Sequence, residues 1–426
     1  TIPLLKLFPN HPLFAGRLFS VITGFASLIG LFSLLFYLFG KKNAYYGAFI
    51  YIFTPYFLFY DRMALTDSAV NMAFIWVLFF SILLVKTIRL DVALLFGLVA
   101  GLALLTKSSA QLFILLGALS PLLILEEIKK DRIKLANFYL LYLIVFILSF
   151  SIYNIQRLSP YMHYIGIKNT TFLMTKDEFL KAPFSLFLNN FRGIWVDIIW
   201  ESGFVLAIFA LFGWLSLFKK DKNLFFYLSL WFFIPFLIIC SISKVIFPRY
   251  LIFFASLLVI FASYFFGQIK DLTFKKYLLA FLIIIFLIFD YKIIFDFKNI
   301  IFPPVDRGQY IEGPPAGWGV KEIIDYSIEK SKEKPVVLLA EGNFGLIADV
   351  LNASLPRDNH QVSVQGFWPL EKKDLIKGKE HLDKNYVFAV FPHRNDFPAD
   401  WPIRLIKKFK KPGNQSAIYF FEVKNN

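Results

Sequence analysis

The stretch Tyr60-Asp61-Arg62-Met63-Ala64-Leu65-Thr66-Asp67-Ser68 sets two carboxylates and a guanidinium between two apolar segments. Ionisable groups at the end of a membrane span are costly to keep there, so they mark a candidate functional site. Asp61 and Asp67 are six residues apart and need not share a helical face. Asp61 precedes a span, and Asp67 falls in its first turn. Two readings of Asp67 stand side by side. Thr66 or Asp67 caps the helix that follows, as carboxylates and hydroxyls at helix starts do. Alternatively, the carboxylates line a cavity, where Asp67 orients a substrate or ligates a divalent metal ion suited to a phosphate group.

Four cations sit next to spans and face the same way: Arg62, Lys107, Lys244 and Arg249. Lys107 follows Gly97-Leu98-Val99-Ala100-Gly101, where small residues permit close helix packing. Lys244 and Arg249, with Tyr250 beside it, bracket a short hairpin. One such residue alone would snorkel to lipid headgroups. As a set they could grip a lipid-linked phosphate, Arg as a fork and Lys as a point charge. The five histidines show no metal-ligand spacing, and only His163, in a long loop, stays a candidate. The single cysteine, Cys240, lies in a span and can form no disulfide framework.

The elements that must position these residues are membrane helices. The 426 residues are 58% hydrophobic and include 54 Phe, well above the ~45–50% apolar share of soluble domains. Ten apolar segments near the required length of ~17–25 residues lie at about 13–39, 43–59, 65–85, 91–106, 109–125, 133–153, 203–218, 223–243, 246–267 and 274–296. In lipid, backbone groups must be satisfied within each segment, so these are read as helices. Pro55 and Pro235 are expected to kink or end theirs. The formal charge of +15 follows from loop lysines rather than from nucleic-acid binding, for which no basic-aromatic motif is present.

One set of loops holds Lys41 and Lys42; Lys86 and Arg89; Lys129, Lys130, Arg132 and Lys134; Lys219, Lys220 and Lys222; Lys270, Lys275 and Lys276. The positive-inside bias puts these in the cytoplasm. Asp61, Arg62 and Asp67 then face outward, as do loop 154–202 and everything after residue 297. The same alternation puts Thr1 outside, so the chain is expected to be a fragment that has lost at least one upstream span. Loop 154–202 is too long for a plain connection. Its segment 179–200 mixes Phe, Leu, Ile and Trp with Lys181, Asn189, Arg192 and Asp197, a pattern for a helix lying in the interface or, equally, for an irregular external loop.

The expected organisation is a transmembrane domain over 1–299 and an extracytoplasmic α/β domain over 300–426. Pro303-Pro304 and Gly313-Pro314-Pro315 mark the linker. Strands are read at Pro335 to Ala340, Tyr386 to Phe391 and Ala417 to Val423, and helices at 345–352 and 370–378. The turn Glu341-Gly342-Asn343-Phe344-Gly345 lacks the full dinucleotide glycine fingerprint.

Together these motifs resemble the dolichyl-phosphate-mannose protein mannosyltransferase-like family, which includes the lipid A aminoarabinose transferases. Arg17-Leu18-Phe19-Ser20-Val21-Ile22-Thr23-Gly24 matches its Arg-x-x-Ser-x-x-x-Gly span start, and Asp67 its second-loop acidic position. Gly97, Gly101 and Lys107 match its glycine-rich span ending in Thr-Lys, and Lys244 with Arg249-Tyr250 its Lys…Arg-Tyr hairpin. The resemblance covers residues 1 to 270. It implies a GT-C membrane fold and inverting transfer of a sugar from a polyprenyl-phosphate donor to a protein, lipid or glycan hydroxyl at the outer face. Lys107, Lys244, Arg249, Tyr250 and Arg62 would bind the donor phosphate, while Asp61 and Asp67 would orient substrate or a metal. The resemblance implies that the family's acidic residue of a first external loop would be expected upstream of Thr1. The rival classes are a lipid-linked sugar flippase and a non-catalytic glycan-binding membrane protein. A flippase predicts inverted repeats, and none is visible.

Overall fold

The computed structural model describes residues 2–342, 345–356 and 358–424. Thr1, together with Asn343 and Phe344 of the turn after the first strand, lies outside the described residues. The chain divides into two compact units, Ser20–Phe295 and Thr1–Phe19 with Asp296–Asn426.

The protein is a polytopic α-helical membrane protein. Among the described residues, seven helices are long and apolar enough to cross a bilayer, or eight if one bent pair counts as a single span. Ten were expected, and the three that fall short do so for identifiable reasons. Segment 43–59 is split at Thr54-Pro55 into Lys41–Phe53 and Pro55–Tyr60, because proline removes a backbone donor and crowds the preceding turn. Leu90–Thr106 has 17 residues and Val205–Lys220 has 16. At 1.5 Å per residue these reach about 24–26 Å, short of the ~30 Å hydrocarbon core. Pro235, by contrast, lies inside Lys222–Ile242 without ending it.

Loop 154–202 contains the helix Phe187–Glu201, which meets Val205–Lys220 at 104°. Its buried face carries Ile194, Asp197, Ile198 and Glu201, the i, i+3, i+4, i+7 stripe of an amphipathic helix.

The helices that carry the candidate site are the most enclosed. The apolar window of Asp67–Thr87 is 72% buried and that of Pro248–Gln268 83%, against 22% for Arg132–Leu158. Phe74 is the hub between them, with ring centroids 5.1 Å from Phe113, 5.3 Å from Trp231 and 5.1 Å from Phe253. Such edge and tilted pairs add to plain burial. Leu90–Thr106 packs on Arg132–Asn154 through Gly97 and Gly101. A Cβ there would come within 2.8 Å of Leu148 and 2.6 Å of Ile152.

The C-terminal unit holds a five-stranded sheet: β1 Val336–Glu341, β2 Val362–Phe367, β3 Tyr386–Phe391, β4 Ile403–Lys410 and β5 Ala417–Val423. The order is β2-β1-β3-β5-β4, with β2, β1 and β3 parallel and β5 antiparallel to both neighbours. Helices Val320–Ser331 and Ile347–Ser354 pack on one face and Lys372–Gly378 on the other. β2 and β4 were not foreseen.

Candidate active site

Asp67 occupies the first turn of the Asp67–Thr87 helix. Thr66 takes the N-cap position but makes no side-chain cap bond, so neither residue caps in the expected way. The Asp67 carboxylate turns aside to two cations instead. Lys107 Nζ donates to Asp67 Oδ1 at 2.8 Å, and Arg249 Nε lies 3.9 Å from Asp67 Oδ2. The carboxylate is 5% exposed, Lys107 30% and Arg249 19%. The anion therefore lies inside and the cations outside. Removing an ion from water is tolerated only when it is paired and hydrogen-bonded, and Asp67 meets that condition.

Each partner is delivered by a helix end. Lys107 is the extended residue closing Leu90–Thr106, and Arg249 lies in the turn Pro248–Leu251 that starts the Ile252–Gln268 helix. Tyr250 completes the cluster: Lys107 Nζ stands 3.7 Å above its ring centroid, a close cation–π contact. The Arg249 guanidinium lies 4.8 Å from the Phe247 ring and 5.2 Å from that of Tyr250. Tyr56 donates from its hydroxyl to the Pro248 carbonyl and ties this turn to the Pro55–Tyr60 helix. Two cations around one carboxylate leave a local surplus of positive charge facing out, a setting for an anion such as a phosphate.

Two expected members of the cationic set go elsewhere. Lys244 pairs with Glu178 at 2.7 Å and donates to the Thr170 carbonyl at 3.2 Å. Backbone bonds from Met174 N to Ile242 O and from Lys244 N to Phe172 O, with Asn190 Nδ2 on the Cys240 and Ser243 carbonyls, fasten loop 154–202 to the end of Lys222–Ile242. Lys244 thus belongs to the loop's attachment. Arg62 donates to the Ile293 carbonyl at 2.7 Å. His163 is held within its own loop by the Pro160 carbonyl.

Asp61 stands in the connection before Asp67, apart from the cations. Tyr51 donates to its Oδ2 at 3.1 Å, and Oδ1 is buried with no hydrogen-bond partner. Burial pushes its pKa up to about 7, against the opposing effect of hydrogen bonds from Ser68 and Tyr51. The Arg-x-x-Ser-x-x-x-Gly motif explains itself here. Ser20 donates to the Leu65 carbonyl at 2.8 Å, and a Cβ on Gly24 would fall 2.5 Å from the Asp61 carboxyl. Behind Asp61 a polar chain continues: Asn71 reaches Tyr51 at 3.4 Å, and Ser256 donates to Asn71 Oδ1 at 2.7 Å. Tyr51, Asn71 and Ser256 were missed in the sequence. The available signal was Asn71, a polar residue one helical turn after Asp67 within an apolar span.

A divalent ion at Asp67 is one of the readings the sequence leaves open. Among the described residues no group of three or more His, Cys, Asp or Glu could hold one. One carboxylate between an ammonium and a guanidinium does not fit a metal, and no step below passes through one.

Residues 4–153 match the family model of dolichyl-phosphate-mannose-protein mannosyltransferase. That match covers about a third of the chain. The matched stretch includes Gly24, Asp61, Asp67 and Lys107. The structure resembles ArnT from Cupriavidus metallidurans bound to undecaprenyl phosphate, with a TM-score of 0.57 at 12% identity, over 95% of this chain and 84% of that one. The apo state of the same protein gives 0.55 at 12% identity, over 95% and 83%. At this identity the likeness is one of fold, over 95% of this chain. No curated protein sequence matches the chain.

Proposed function

We propose that this membrane protein is a glycosyltransferase that takes a sugar from a polyprenyl-phosphate donor and passes it to a hydroxyl of a protein, lipid or glycan. The observation that carries the reading is the convergence of Lys107 and Arg249 on buried Asp67. Asp67 holds the two cations at a fixed separation. Their outward faces take the donor phosphate, and they stabilise the charge that grows on it as the glycosidic bond breaks. Tyr250 keeps the Lys107 ammonium in place through its ring. Asp61, ionised only near pH 7 and above, accepts a hydrogen bond from the acceptor hydroxyl, orients it and takes its proton as the new glycosidic bond forms. Attack from the side opposite the phosphate inverts the anomeric centre. The lysine-rich loops support a site on the outer face, and loop 154–202, anchored through Lys244, covers the donor in this reading.

The test uses the full chain in lipid nanodiscs. Undecaprenyl phosphate is expected to raise the melting temperature of the wild type but not of Lys107→Met or Arg249→Ala, and a radiolabelled polyprenyl-phosphate mannose is expected to lose its sugar to an acceptor. Passage of the intact lipid-linked sugar across proteoliposomes without cleavage would sink the proposal in favour of a flippase.

A further inference from the structure

The parallel part of the C-terminal sheet has a feature that the transfer reading does not use. The chain leaves β1, crosses on one face through Ile347–Ser354 to β2, then crosses on the other face through Lys372–Gly378 to β3. β2 and β3 flank β1 on opposite sides, so the connections diverge between β1 and β3. In open α/β sheets the crevice beyond the carboxyl ends at such a reversal is where ligands bind.

The residues at that edge carry polar groups and an aromatic surface. Glu341 ends β1 with its carboxylate 4% exposed. Its Oε2 accepts the His393 backbone N–H at 3.2 Å. His393 and Arg394 lie just past β3, after Pro392, and His393 Nδ1 is buried without a hydrogen-bond partner. Arg394 Nε stands 4.0 Å from Glu341 Oε1, too far for a hydrogen bond, while its guanidinium lies 4.8 Å over the Trp401 ring. Trp368, one residue past β2, sets its ring edge-on to His393 at 5.1 Å and is 60% exposed. The tryptophan is thus largely exposed beside the buried, unpartnered His393 Nδ1.

We infer that this edge is a saccharide-binding site, with Trp368 as the platform for the apolar face of an uncharged sugar ring and Arg394, His393 and Glu341 as partners for its hydroxyls. The chemistry selects against other ligands. An anion would meet the Glu341 carboxylate. A purely apolar group would leave Glu341 Oε1 and the Arg394 guanidinium without a hydrogen bond between them or to the ligand. A hydroxyl-rich ring both donates to Glu341 and accepts from Arg394, and its C–H face suits an indole. Burial lowers the pKa of His393, with Lys411 adding to the effect, so the imidazole is neutral at pH 7 and adds no charge.

The experiment is saturation-transfer NMR on the full chain in nanodiscs, with mannotriose, cellotriose and inorganic phosphate as separate probes. At least one trisaccharide is expected to bind. Trp368→Ala is expected to weaken it roughly tenfold, Trp368→Phe to retain most of the affinity, and Arg394→Ala to weaken it. Trp368 is exposed, so its loss leaves the melting temperature unchanged and folding separable from binding. The inference is overturned if neither trisaccharide binds, if Trp368→Ala binds as the wild type does, or if phosphate binds in their place. Lys107→Met separates this outcome from the donor reading, because it is expected to lose undecaprenyl phosphate and keep the trisaccharide.

Discussion

Lys107 meets Asp67 at 2.8 Å with one side of its ammonium and the Tyr250 ring at 3.7 Å with the other. These three residues come from three helix ends, 40 and 143 positions apart in the sequence. Their meeting ties the charge of a buried carboxylate to the position of a cation that faces outward.

Removing that cation is the sharpest test. Lys107→Met leaves Asp67 with only the Arg249 contact at 3.9 Å. Donor turnover is expected to fall about 100-fold, as when one preorganised cation or donor is deleted. Stability falls by about 1–3 kcal/mol, since the lysine is partly solvated. The double variant Lys107→Met with Asp67→Asn is expected to recover part of the lost melting temperature. Strictly additive losses would mean that the pair is not coupled.

Asp61 predicts a pH profile. A pKa raised to about 7 means that the folded state holds a proton which the unfolded chain releases near pH 4. The carboxyl's contribution to stability is therefore present below about pH 4 and is lost as pH rises through about 7. Ionisation then supplies the acceptor-orienting charge, so kcat/KM is expected to rise through about pH 7. Asp61→Asn should flatten both curves. A profile that keeps its rise in that variant assigns the ionisation elsewhere.

Gly24→Ala tests the same carboxyl from outside. The added methyl would fall 2.5 Å from the Asp61 carboxyl and must displace it, at a cost of about 1–3 kcal/mol. Its pH profile is expected to copy that of Asp61→Asn. Ser20→Ala, which loses the bond to the Leu65 carbonyl, should keep the wild-type profile at reduced stability.

Lys244 is expected to act through the loop. Glu178 is held down to about 2 by its bonds from Lys244 and Thr175. That contribution is complete above about pH 5 and fades only as pH falls toward 2, so the link is intact at neutral pH. Lys244→Ala and Glu178→Gln are each expected to speed proteolysis within 154–202, and the double variant should be no faster than either single one. Undecaprenyl phosphate binding should survive all three. Loss of that binding in Lys244→Ala alone would return the residue to the phosphate site.

The local properties of this chain were legible because their signals are local. Apolar runs long enough for a bilayer, the break at Pro55 and the buried strands β1, β3 and β5 each announce themselves within a few residues. The two strands that escaped notice, β2 and β4, form the edges of the sheet. Edge strands keep partly exposed, charged faces, as in Arg404, Lys407 and Lys408, so they lack the apolar run that marks a buried strand. The motif spacing also brought Asp61, Asp67, Lys107 and Arg249 to notice as candidates. What the sequence could not decide was which cations would share a carboxylate. Arg62, Lys107, Lys244 and Arg249 all sit beside span ends, and charge alone does not distinguish them. Helix packing does: close contact through Gly97 and Gly101 and the turn at Pro248 accompany Lys107 and Arg249 on Asp67, while Lys244 goes to Glu178 and Arg62 to a backbone carbonyl. An ion pair depends on a few ångströms between side chains far apart in sequence, and only the assembled tertiary structure sets those distances.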